Sequence, residues 1–187
     1  LGLSTWHIKA SGRGFSYQKP EEPLLMGFSK DNVSAAEVIN RADAGELADI
    51  FAEYGELKNA RGLAESIIAR RREKRVISVK DFLGAIPIKD KKKLAKVFQA
   101  LRIYVNDELG ALAEALPKSF DLLSGGGTLA VISYHSLEDR LVKRFFLQKK
   151  RGGAAGILTK KPITPSEEEL ESNPSSRSAK LRILVKI

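Results

Sequence analysis

A short apolar, β-branched run, Leu129 to Ser133, stops abruptly at Tyr134-His135-Ser136 and passes at once into a helical pattern. This feature does most to narrow the possible folds. Ser136, with Asp139 three residues on, reads as a helix start, and Leu137, Leu141, Val142, Phe145 and Phe146 make one apolar stripe at the helical period. One of the chain's two histidines therefore stands at the carboxyl end of a buried-looking strand, where open α/β sheets place their ligands. His135 either faces such a ligand or only hydrogen-bonds within its loop.

Upstream of this turn the pattern is helical. Residues 4–32 are rich in Gly, Ser, Pro and isolated charges without a sustained period, which predicts a long ordered loop of the kind that carries function. Ser34 with Glu37 and Asp43 with Glu46 are capping-box starts, and the face of Leu47, Ile50, Phe51 and Tyr54 ends before Gly55. Leu63, Ala64, Ile67 and Ile68 stripe the next helix, and Ser78 with Asp81 opens a short one that stops near Pro87. One long helix is predicted from about Asp90 to Leu116, with Leu94, Val97, Phe98, Leu101, Val105, Leu109, Leu112 and Leu116 on one side; Pro117 begins a further turn.

Gly125-Gly126-Gly127 reads as a helix stop and turn before a strand at 128–133. A helix at 136–149, a loose Gly/Ala stretch at 152–156 and a short strand near 157–160 follow. Thr164 with Glu167 caps a helix that fades near Ser172. The last strand, Lys180 to Ile187, sends Leu181, Ile183, Val185 and Ile187 one way and Arg182 and Lys186 the other. Strand, helical block, strand, helix and two strands is the order of a Rossmann-like α/β half-sheet interrupted by an all-helical insertion. The expected divisions are 1–32, 33–100 for the insertion, and 101–187.

An apolar fraction of 43% in 187 residues supports a real core, and the absence of cysteine excludes a disulfide scaffold and cysteine-ligated metal. No apolar run approaches the roughly 20 residues that span a membrane, and no secretory signal is visible. Charge is placed unevenly. Residues 58–102 hold fourteen Lys/Arg against four Asp/Glu, so this segment alone accounts for the excess behind the net charge of +9. Its densest pieces are Arg70-Arg71-Arg72, Lys74-Arg75 and Lys89 to Lys93, the footprint of a protein that meets a polyanion. A solvated helix face is the plainer alternative. An interfacial membrane helix is disfavoured because the basic segments lack a Trp/Phe-rich opposing face.

Five ordered stretches resemble the RsmH (MraW) family of S-adenosylmethionine-dependent methyltransferases, which act on a cytosine of bacterial small-subunit (16S) rRNA. They are Leu1-Gly2-Leu3-Ser4 with Arg13-Gly14-Phe15-Ser16; Phe98 to Arg102 with Val105-Asn106-Asp107-Glu108-Leu109; Tyr134-His135-Ser136 with its flanks; Leu158 to Pro162 with Thr164 to Glu169; and Arg177 to Arg182. The resemblance covers nearly the whole chain. It implies a cytoplasmic rRNA (cytosine-N4-)-methyltransferase whose partner is small-subunit rRNA or the small ribosomal subunit. It leaves the oligomeric state open, a homodimer included, and implies no metal.

It also implies that the chain is the carboxyl-terminal portion of a longer protein. No glycine-rich turn precedes a suitable helix here, and the match starts at the end of the family's fourth strand, so the main cofactor-binding motifs are expected upstream of Leu1. Gly2, Leu3 and His7 are then the cofactor-side residues in this chain. Methylation of an exocyclic amine needs acceptors for the two amino hydrogens and no covalent intermediate, and the resemblance places such acceptors in Ser4-Thr5-Trp6-His7. Ser4, His135 and Ser136 are the expected catalytic residues, with His135 in a positioning role. Trp6, Arg13, Arg70, Arg71, Arg72, Arg102 and Asn106 are the expected RNA-side residues. Trp6 either stacks on a base or packs on the helices. Arg13 meets a phosphate or pairs internally, and Arg102 with Asn106 reaches the site or buttresses it. The sequence departs from the family at His7, usually Gln, and at Pro23 to Phe28, usually an Asp-Met-Arg-Met-Asp-like segment. The second reading is a non-catalytic RNA-binding module or degenerate paralogue.

Overall fold

The computed structural model describes residues 2–29 and 31–187. Leu1, which opens the first matching stretch, lies outside them. The chain gathers into two compact units: Leu3–Glu108, and Leu109–Ile187 together with Gly2.

The first unit is helical: α1 (Thr5–Lys9), α2 (Ala35–Arg41), α3 (Ala44–Glu53), α4 (Ala60–Glu73), α5 (Val79–Ala85) and α6 (Lys91–Asn106). Ser34/Glu37, Asp43/Glu46 and Ser78/Asp81 all form reciprocal capping boxes, in which each side chain satisfies the other residue's amide. Leu47, Ile50 and Phe51 of α3, Leu63 and Ile67 of α4, and Val97, Phe98 and Leu101 of α6 close one core. Each such side chain contributes about 1.5–3 kcal/mol on burial. The 4–32 segment is less of a free loop than its composition suggests. It holds α1, pairs Pro23 with Ser78 in an isolated bridge, and sends Leu24 and Met26 fully into the core.

The expected single helix from Asp90 to Leu116 is two helices. α6 ends at Asn106, Asp107 takes a left-handed φ of 45°, and α7 (Glu108–Asp121) restarts at once. The Asp107 amide closes α6 by donating to the Ile103 and Tyr104 carbonyls. An apolar stripe cannot report such a break, because Leu101 and Leu112 are buried on either side of it. Pro117, read as a start, lies inside α7, where buried Leu116 and Phe120 carry the helix past the missing amide.

The second unit contains a three-stranded sheet of β1 (Thr128–Ser133), β2 (Ala155–Ile157) and β3 (Lys180–Lys186) in the order β1-β3-β2. β3 is antiparallel to both neighbours, with Ser133 opposite Lys180 and Ala155 opposite Lys186. β1 and β2 therefore run parallel to each other, joined through α8 (Ser136–Arg151). β2 occupies the Gly/Ala stretch read as loose rather than 157–160; Gly156 allows close pairing, since a Cβ there would stand 3.1 Å from Val185 Cγ1. In β3 the alternation holds, with Arg182 and Leu184 buried on one face and Leu181, Ile183 and Val185 half-buried on the other. Leu184 joins Val131, Val142 and Phe146 in the core. α9 (Glu167–Ser172) is capped by Ser166, which accepts the Glu169 amide, and not by Thr164. Among the described residues no helix is long and apolar enough to cross a membrane.

Candidate active-site loop and basic helical surface

The amino-terminal loop is built around an aromatic cluster. The His7 ring lies 5.3 Å from Trp6, 5.4 Å from Phe15 and 5.2 Å from Phe28, and Phe15 stacks on Phe28 at 5.8 Å. Ser4 Oγ stands 3.0 Å from His7 Nδ1. Phe15 is buried, whereas Trp6 is 60% exposed and lies edge-to-face against His7. Leu3 is half-buried against the helical core.

Backbone geometry holds this cluster in place. Gly14 has a φ of 75°, and a Cβ there would meet the Pro23 carbonyl at 2.4 Å, so no other residue fits. Its amide donates to Glu22 Oε2 at 2.8 Å. Arg13 takes the internal alternative: its guanidinium donates to the Phe28 and Ser29 carbonyls at 3.3 and 2.7 Å. Asn106 is the main clamp. Its Nδ2 donates to the Met26 carbonyl at 2.8 Å, and its Oδ1 accepts from the Phe28 amide at 2.7 Å and from Asn32 Nδ2 at 3.2 Å. Arg102 is spent on Glu108, forming two bonds of 2.7 and 3.0 Å with both side chains largely covered. Arg102 and Asn106 thus brace the loop and the helix break.

The strand-to-helix turn is built one residue earlier than expected. His135, not Ser136, is the N-cap of α8: it is extended, and its Nδ1 accepts the Glu138 amide at 3.4 Å. Glu138 completes the box, accepting from the Tyr134 and His135 amides at 2.8 and 3.3 Å, and its own side chain is buried. Glu138 rather than Asp139 serves because it occupies the third helical position from His135. Asp139 instead takes both guanidinium bonds from Arg182, at 2.6 and 3.1 Å, and this contact, with Lys180 nearby, holds its carboxyl below the usual carboxylate range. Arg182 is only 7% exposed, and the pair explains how a cation sits on the inner face of β3. Gly2, at a φ of 98°, approaches Tyr134: a Cβ there would be 3.5 Å from the ring. Ser136 is exposed at the first turn. The sequence carried a signal for Glu138, an acidic residue three positions after a capable cap, but Ser136 competed for it.

The three consecutive arginines separate by role. Arg70 and Arg72 are exposed on α4, with Arg70 paired to Glu73. Arg71 turns inward and donates to the Ile39 and Ala42 carbonyls, both at 2.6 Å, closing the carboxyl end of α2.

These features span a chain whose match to known proteins is continuous. The model of the MraW methylase family matches residues 1–187, and the chain belongs to that family. It is 47% identical over 188 residues to the ribosomal RNA small subunit methyltransferase H of Dictyoglomus thermophilum, covering 98% of this chain and 63% of that protein. The proteins of the same name from Persephonella marina and Deinococcus radiodurans are 44% and 46% identical, over 100% and 98% of this chain. The chain spans about two thirds of the length of these relatives, or slightly less.

Proposed function

We propose that the chain belongs to a cytoplasmic S-adenosylmethionine-dependent methyltransferase that modifies the exocyclic amine of a cytosine in bacterial 16S rRNA, with that rRNA or the small ribosomal subunit as its partner. The observation that carries this reading is the family match over all 187 residues. The parallel β1 and β2, joined by α8 with β3 antiparallel between them, support a Rossmann-like methyltransferase sheet. Ser4 and Trp6, exposed at the edge of the braced aromatic cluster, are suited to accept from an amino group and to stack on a base.

The bound cofactor supplies the electrophilic methyl group. Of the residues assigned to it, Gly2 is exposed and turns with a positive φ beside Tyr134, whereas the His7 ring is already engaged by Ser4 and three aromatic rings. The chain's own residues therefore fit one flank of a cofactor site and not a whole one. The test is methyl transfer by a protein of the relatives' full length to small ribosomal subunits, followed by nucleoside mass spectrometry. N4-methylcytidine is the expected product, and methylation of any other nucleoside overturns the assignment.

RNA contact is assigned to the exposed face of α4. Arg70→Glu with Arg72→Glu should weaken binding of 16S rRNA fragments and lower the slope of affinity against salt by about two, one for each phosphate contact. An unchanged slope moves the RNA surface elsewhere. Salt-dependent binding without any transfer would favour the non-catalytic RNA-binding module.

A further inference from the structure

We propose that a basic-rimmed cleft in the helical unit is a subsite for a single unpaired nucleotide of the RNA, a proposal that rests on the RNA-binding reading above. The cleft has a volume of about 460 Å³. Its apolar floor is Leu57 and Leu63, at the start of α4, with Pro87 and Ile88 from the α5–α6 connection. Lys58, Lys92, Lys93 and Lys96 stand around it, and Glu56 is the one carboxylate among its lining residues.

Two properties of these groups call for a ligand. The four lysines are exposed, and none of their ammonium groups is engaged in an ion pair among the described residues, so the cleft has a concentrated positive rim. Lys92 and Lys96 even stand four apart on α6, a like-charge spacing that weakens a helix. Asn59 is the N-cap of α4, yet its side chain makes no cap bond and lies over Gly62 at the exposed rim of the cleft.

The occupant must match both halves of the cleft. A polyanion alone would satisfy the lysines and leave the apolar floor in water. A duplex stacks its bases inward and presents mainly phosphates and sugars, so it cannot cover the floor either. An unpaired nucleotide brings a flat base for Leu57, Pro87 and Ile88, hydrogen-bonding edges for Asn59, and flanking phosphates for the lysines. The volume lies within the range of small-molecule sites, about 300–1,000 Å³.

The test uses the full chain, a short single-stranded RNA, and an RNA duplex of the same length, with binding read by fluorescence anisotropy. Ile88→Ser should weaken single-strand binding about tenfold, the loss of its apolar contact with one seated base, with little change for the duplex. Lys92→Ala with Lys96→Ala, at exposed positions that carry no packing, should also weaken the single strand more than the duplex. Equal losses on both RNAs, or no loss on either, overturn the subsite. In those cases Arg70→Glu with Arg72→Glu separates the two ideas: lost affinity there keeps the exposed face of α4 as the RNA surface, and unchanged affinity moves that surface elsewhere as well.

Discussion

Asn106 holds the amino-terminal loop by both ends of its carboxamide, donating to Met26 and accepting from Phe28. Removing the side chain leaves a carbonyl and an amide without their partner, at a cost of about 2 kcal/mol. Asn106→Ala should therefore speed hydrogen exchange at the Phe28 amide by at least tenfold. Asn106→Asp, which keeps the acceptor, should restore most of the protection; an unprotected Phe28 amide in the parent chain would rule out the clamp. Asp139 supports a different prediction. Its folded carboxyl titrates below its unfolded value, so its contribution is fully present above pH of about 4 and is lost as pH falls through the folded value. Asp139→Asn should lower stability at neutral pH by about 3 kcal/mol, because Arg182 is left buried and unmatched. The same variant should flatten the acid limb of a stability–pH profile measured by denaturant unfolding. An acid limb identical to that of the parent would show that Asp139 is not the group responsible.

At the scale of elements, the start of α8 gives His135 a structural role that can be separated by experiment from the positioning role expected of it. As the N-cap it contributes about 1 kcal/mol, which His135→Ala should remove and His135→Asn should largely retain. If the imidazole also positions the base, His135→Asn in the full-length protein will melt like the parent yet turn over more slowly, with cofactor affinity nearly intact. Parallel recovery of melting temperature and turnover would reduce His135 to a cap. The α6–α7 break is a one-residue irregularity. One left-handed residue, Asp107, ends a sixteen-residue helix, and the Arg102–Glu108 pair spans it. The boundary between the two compact units falls just beyond, between Glu108 and Leu109.

For the molecule as a whole, the proposed function assigns this chain only one flank of a cofactor site, at Gly2 and Leu3. The 187-residue chain should therefore bind S-adenosylmethionine negligibly and transfer no methyl group, with isothermal calorimetry on monomeric protein as the measurement. Stoichiometric micromolar binding would mean that other residues of the chain build the site. The features the sequence determined by itself are local. The capping boxes at Ser34, Asp43 and Ser78 and the limits of β1 depend on residues within a turn or a strand of one another, and such rules act before any tertiary contact forms. The basic character of residues 58–102 was equally plain, since charge needs no partner to be counted. What only the tertiary structure decided involves distant partners. Arg71 is turned inward by carbonyls 29 and 32 residues away, Arg182 is buried by a carboxylate 43 residues away, and Asn106 is committed to a loop 78 and 80 residues away. A polar side chain reads alike in sequence whether it faces water or a buried partner, and only the folded backbone brings that partner within hydrogen-bonding distance.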